Sequence, residues 1–149
     1  MKSKTIQDFR DYLNSTREEL NTVRAVGPHA VNKWLMDYGN TLGVFPDLWK
    51  VKSNKVSGCS SNVYINGTLA GARMFFMGDS DSKLVRGQLA ILVNGLNGLP
   101  PEDVLSRAES CLDNFVHDTN VRFSMTTNRV SSLGTLFKFI QRKTVELID

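Results

Sequence analysis

The stretch Val56-Ser57-Gly58-Cys59-Ser60-Ser61-Asn62-Val63-Tyr64-Ile65 is the one around which the chain is organised. Its first half is a short polar bend. Its second half is β-prone, with Val63 and Ile65 branched at Cβ and Tyr64 aromatic. A strand therefore begins here, and one cysteine stands at its entrance. Gly58, lacking a Cβ, lets the backbone take a positive φ directly before Cys59. Ser60, Ser61 and Asn62 place small hydrogen-bonding groups beside the sulfur. These residues leave two readings open. Cys59 is either a thiol presented to another protein at a loop tip or a buried structural cysteine, free cysteine being among the most buried residue types.

Downstream, Asn62 to Thr68 and Ala72 to Met77 read as two strands of a hairpin. Asn66-Gly67 is a strong hairpin signal by itself, but a turn there leaves a first strand of only about four residues. Val51 to Val56 adds a third strand before the cysteine. Gly78-Asp79-Ser80-Asp81 ends the sheet and starts a helix, with Asp79 or Ser80 as its cap and acids at the positive end of its dipole. Leu84, Val85, Leu89, Ile91, Leu92, Val93 and Leu96 make that helix apolar nearly all round, which predicts a central buried helix. Gly87 inside it costs about 0.5–1 kcal/mol against alanine and signals close packing. Asn94-Gly95 and Asn97-Gly98 end it. Pro101-Glu102-Asp103 opens a short helix, and Leu105 to Asn114 continues in helical turns. Residues 115–127 read as a connection. Leu133, Leu136, Phe137 and Ile140 mark a last amphipathic helix from Val130 to Leu147.

Upstream, Ile6, Phe9 and Leu13 predict a short helix over Thr5 to Leu13. Ser15 and Glu18 fit a capping box, which predicts a second helix from Thr16 to Arg24. Gly27-Pro28 breaks it. Val31, Trp34, Leu35, Tyr38 and Leu42 then fall on one helical face, with Gly43 as the stop. Trp34 and Tyr38 can be read as a binding stripe or as core, and their spacing favours core. Helices, then a compact strand cluster, then helices point to segregated layers rather than βαβ alternation. The expected fold is α+β: a small antiparallel sheet of about three strands packed against helices.

A chain of 149 residues suits one domain, spanning 1–149. Its formal charge of +3, from 18 basic against 15 acidic residues, is spread without a basic stripe, which argues against nucleic-acid binding. No apolar run is long enough to span a membrane. Cys59 and Cys111 are far apart and form neither a CxxC pair nor a metal-ligand array. Free thiols without a secretory signal suit a reducing compartment, the cytoplasm, or a plastid or other organelle if a presequence has been removed.

Gly58-Cys59-Ser60-Ser61-Asn62-Val63-Tyr64-Ile65 resembles the Gly-Cys-x-Ser-x-Val-Trp-Ile signature of the SufE family of sulfur-acceptor proteins. Gly78-Asp79-Ser80-Asp81-Ser82-Lys83-Leu84-Val85-Arg86-Gly87 resembles that family's Gly-Asp-Ser-Asp-Ala-x-Ile-Val-Lys-Gly. Arg129, followed by Leu133, resembles its Ser-Arg-x-x-Gly-Leu segment, although Asn128 and Ser132 stand where the family often has Ser and Gly. The match spans Trp34 to Ile140. It implies a SufE/NifU-like fold and a hairpin turn near Leu69 to Gly71. It also implies a sulfur acceptor and activator of a PLP-dependent, SufS-like cysteine desulfurase, which passes sulfur to a SufBCD-like iron–sulfur scaffold complex. The chain itself would hold no cofactor, because the PLP belongs to the partner. It would be a monomer or weak homodimer.

A persulfide relay needs a thiolate that attacks the partner's persulfide and then keeps the sulfur from water and reductants. The resemblance assigns that role to Cys59, with Gly58, Ser61, Asp81 and Arg129 in support or in partner binding. Cys111, beside Leu112, reads as a small core residue. Lys50, Lys52 and Lys55 are either a solvated loop or a positive field that favours the thiolate. Asp81 is either an acid in a first helical turn or an anchor of the cysteine loop. Arg129, at a helix start where a cation gains nothing from the dipole, is either a surface arginine or a specific contact. His29 and His117 read as solvated. The alternative is a stand-alone thiol enzyme with a Cys59/His117 dyad, which lacks a flanking signature. An iron–sulfur scaffold would need three or four thiolate-class ligands.

Overall fold

The computed structural model describes residues 3–58, 61–119 and 132–149. Its core is built around the helix Lys83–Leu96, preceded by α1 (Ile6–Arg24), α2 (Pro28–Tyr38), β1 (Val63–Ala70) and β2 (Arg73–Ser80), and therefore α3. Three helices follow: α4 (Pro101–Ser106), α5 (Ala108–Thr119) and α6 (Ser132–Ile148). The chain is thus α+β, as its element order suggested. Leu89, Ile91, Leu92 and Leu96 of α3 are wholly buried. Each such side chain contributes about 1.5–3 kcal/mol of gross burial energy.

The close packing expected at Gly87 has a definite partner. A Cβ there would lie 2.2 Å from the Leu35 carbonyl oxygen, so α2 crosses α3 nearly backbone to backbone. Gly95 similarly admits Phe9 and Tyr12 of α1. One residue of α3 breaks the apolar pattern. Gln88 is fully buried, and its amide nitrogen and oxygen have no hydrogen-bond partner among the described residues.

The sheet has two antiparallel strands among the described residues, paired from Val63↔Ser80 to Ala70↔Arg73. The third strand expected at 51–56 is reduced to a bridge, Lys55↔Tyr64, beside a 3₁₀ turn over Lys52–Asn54. On the far edge, the Gly98 N–H donates to the Met74 carbonyl (2.8 Å) and the Met74 N–H to the Leu99 carbonyl (2.8 Å). The Asn97 side chain both accepts from the Phe76 N–H (2.6 Å) and donates to the Phe76 carbonyl (3.2 Å). Irregular segments therefore pair with part of each sheet edge, and on the β1 side they stand where the third strand was expected.

The hairpin turns at Gly71-Ala72, with φ of 58° and 62°. Two successive positive φ values suit the two-residue turn that matches strand twist. Asn66-Gly67 instead lies in mid-strand. Gly67 faces Leu147 of α6 and Phe76 across the strand, so a tertiary contact overrode the local turn signal.

Other boundaries move as well. The two helices expected before Gly27 are one helix, capped by the Thr5/Asp8 box rather than by Ser15/Glu18. No Gly or Pro interrupts it, and the buried stripe Phe9, Leu13, Thr16, Leu20 runs straight through. Helix α2 ends at Tyr38, before Gly43, and passes into a 3₁₀ turn over Gly39–Thr41. Trp34 and Tyr38 stack at 4.6 Å and are half-buried, packed against the core, and the Tyr38 hydroxyl lies 2.6 Å from that of Tyr12. Asp79 and Ser80 belong to β2, and Ser82 caps α3 by accepting from the Val85 N–H. Helix α5 continues to Thr119 because Phe115 still buries its face, so residues 115–119, expected in a connection, are helix.

Candidate functional site

The backbone closes a short loop around the cysteine position. Val56 and Val63 are buried, and the Val56 N–H donates to the Val63 carbonyl at 2.9 Å. Cys59, the expected acceptor, lies outside the described residues, as does Arg129. Gly58 has φ 86°, a value that favours glycine, and faces the Thr135 methyl of α6. Ser61 is half-buried.

Asp81 joins the exit of this loop to the start of α3. Its Oδ1 accepts from the Asn62 N–H (3.0 Å) and its Oδ2 from the Asn62 side-chain amide (3.1 Å). The Asp81 N–H donates back to the Asn62 carbonyl (3.2 Å). Three mutual bonds make a clasp, and bonds to an ionised carboxylate are the stronger kind. Asp81 touches the cysteine loop at Asn62, while Ser82 caps α3.

Beside the clasp lies a polar cleft of about 270 Å³, lined by Lys50, Asn62, Tyr64, Asp79, Ser80 and Asp81. Asp79 binds Arg86 Nε at 3.4 Å and Lys50 Nζ at 3.7 Å, and Lys50 also reaches Asp47 at 3.4 Å. Of the three lysines read either as a solvated loop or as a positive field, Lys50 is matched by two acids, while Lys52 and Lys55 are exposed. The Phe45 ring stands 6.4 Å from Tyr64 and 6.0 Å from Trp49, so residues 45–49 cover the outer side of β1.

The loop's other side rests on α6. Val56 and Ser57 share a notch of about 350 Å³ with Thr135, Lys138, Phe139 and Arg142. Sequence reasoning missed this neighbourhood, because the side chains arrive from a distant helix and carry no local motif. Asn62 was legible only as a small polar group, not as the partner of Asp81.

Cys111 is buried on α5, its thiol 3.5 Å from the Arg107 carbonyl. His117, expected in a loop, is on α5 with a side chain 88% exposed, next to Asp118. No helix among the described residues is long and apolar enough to cross a membrane.

Residues 18–144 match the family described as the SufE Fe-S metabolism associated domain. An uncharacterized SufE-like protein of Synechocystis sp. is 34% identical over 82% of this chain and 74% of its own length. The sulfur acceptor protein CsdE of Escherichia coli is 30% identical over 71% of this chain and 71% of its own length. The solution structure of a hypothetical protein from Thermus thermophilus superposes with a TM-score of 0.68 over 92% of this chain and 96% of that one, at 16% identity, and so shares the fold. With the motif, the clasp and the α+β frame in one place, the chain belongs to the SufE family.

Proposed function

We propose that this protein is a sulfur acceptor in iron–sulfur metabolism. Cys59 takes the persulfide sulfur from a PLP-dependent cysteine desulfurase, stimulates that enzyme by clearing it, and passes the sulfur to an iron–sulfur scaffold. The observation that carries the reading is the clasp of Asp81 on Asn62, three residues after Cys59. With the Val56–Val63 closure, it holds both ends of the cysteine loop on a buried floor. A loop anchored at its ends and polar between them can offer a thiol to a partner and withdraw it. The name of the Escherichia coli relative supports the same role.

In the transfer, the Cys59 thiolate attacks the outer sulfur of the desulfurase persulfide. The S–S bond breaks, the desulfurase cysteine leaves as thiolate, and Cys59 becomes the persulfide, with no net oxidation. Attack on this carrier at the recipient repeats the exchange. Arg129 is proposed to contact the partner, and the chain is proposed to act as a monomer or weak homodimer.

The test is mass spectrometry after mixing the protein with a desulfurase and cysteine. A +32 Da series on Cys59, absent from Cys59→Ser and present in Cys111→Ser, supports the reading. Transfer that depends on Cys111 in folded protein overturns it.

A further inference from the structure

We infer that the notch between residues 56–57 and α6 is a docking site for an acidic peptide segment with an apolar side chain at its centre; that the segment belongs to the sulfur-exchanging partner rests on the reading above. The notch has the right chemistry. Its floor is Val56 and Phe139, both almost fully buried, and its rim carries Lys138 and Arg142, both exposed. The two cations stand one helical turn apart, an arrangement of like charges that weakens a helix. Neither has an acidic partner among the described residues. Arg142 lies 5.2 Å from the Phe139 ring centre, so its guanidinium is held at the mouth of the notch. The single acid of α6, Glu146, is engaged by Lys143 at 3.9 Å.

The sequence on either side of the notch residues is free of acids. Between Asp47 and Asp79 the sequence has no acid, but has Lys50, Lys52, Lys55 and Arg73. Between Asp118 and Glu146 it again has no acid, but has Arg122, Arg129, Lys138, Arg142 and Lys143. In a chain of net charge only +3, the two stretches of sequence that supply the notch residues carry bases and no acids. Such a field draws an acidic surface into register and speeds encounter. The apolar floor distinguishes a peptide from a nucleic-acid backbone, which would call for an extended basic stripe.

The test uses the ¹⁵N-labelled protein and a synthetic peptide of glutamates flanking a central leucine, followed by amide chemical shifts. Shifts are expected at Ser57, Thr135, Lys138, Phe139 and Arg142. The double variant Lys138→Glu/Arg142→Glu should bind about tenfold or more weakly, since each exposed pair is worth at most a few-fold and both are reversed. Lys33→Glu, outside the notch, should bind as wild type, and added salt should weaken binding. Circular dichroism checks that each variant is folded. Shifts centred elsewhere, no shifts at all, equal binding by the double variant, or the same response to a lysine-based peptide or a single-stranded oligonucleotide would overturn the inference. The sulfur reading is judged separately by the mass of Cys59. Sulfur acceptance without peptide binding removes only the notch, and peptide binding without sulfur acceptance removes only the relay.

Discussion

The two flanks of the cysteine loop are built on opposite principles. On the exit side the two carboxylates are matched. Asp81 is satisfied by Asn62, and Asp79 by Arg86 and Lys50. On the entry side the rim cations Lys138 and Arg142 have no acid among the described residues. Matched groups hold a loop in place, because breaking them leaves an unpaired charge. Cations without an acid contribute little to folding and are available to a partner. The comparison teaches that stability and recognition are separated across only a few residues. Both flanks stand on α3 and the sheet, whose packing tolerates little change.

The largest expected effect lies at the loop itself. Cys59→Ser should abolish sulfur acceptance while leaving the thermal melt unchanged, and Cys111→Ser should retain acceptance. A normal +32 Da signal in Cys59→Ser would end the comparison, since the loop would then carry no chemistry.

Next comes the shared floor. Gly87→Ala should cost about 3 kcal/mol or more in denaturant unfolding, because its methyl would overlap the Leu35 carbonyl. Gln88→Leu should act in the opposite sense and stabilise by about 1–2 kcal/mol, since it removes a buried amide that has no partner. If both variants were neutral, α3 would be a pliable support and the rigidity assigned to the floor would be wrong.

The clasp should show a mixed signature. Asp81→Ala should cost about 1 kcal/mol, as expected for exposed carboxylate hydrogen bonds. Asp81→Arg, which also places a cation opposite Asn62, should raise the alkylation rate of Cys59 in the free protein. Wild-type Cys59 should react slowly when free and faster with the desulfurase bound, a switch that needs only a few kcal/mol between states. Equal rates in free wild type, bound wild type and Asp81→Arg would show that the exit side does not restrain the loop.

The smallest effects sharpen the contrast. Lys50→Ala should change stability by less than about 1 kcal/mol, because its pairs with Asp47 and Asp79 are surface pairs. Arg129→Ala should reduce desulfurase stimulation more than it lowers the melting temperature. The two readouts moving together would assign Arg129 to the fold instead.

Much of this was legible in the amino-acid sequence. The apolar run from Leu84 to Leu96 identified the central helix, because a helix hydrophobic on all sides has only the interior to occupy. Gly58-Cys59 and the Gly78–Asp81 stretch pointed to the site and its family by resemblance. What local patterns could not decide was settled by distant partners. Asn66-Gly67 carries a turn signal, yet Leu147 of α6 packs on Gly67 and the turn falls at Gly71-Ala72. Ser15-x-x-Glu18 carries a capping signal, yet the buried stripe of α1 continues through it. The third strand was replaced by a bridge at Lys55, since the 3₁₀ turn over Lys52–Asn54, held by Asn54 to the Trp49 carbonyl, leaves only Lys55 and Val56 to pair with β1. The pairing of Asp81 with Asn62 and the meeting of Ser57 with Lys138 and Arg142 join residues remote in sequence. Periodicity and propensity report on neighbours along the chain, so they determined which segments are helix, strand and loop. Which side chains face each other across the cysteine loop depends on how those segments pack, and the tertiary structure alone decided it.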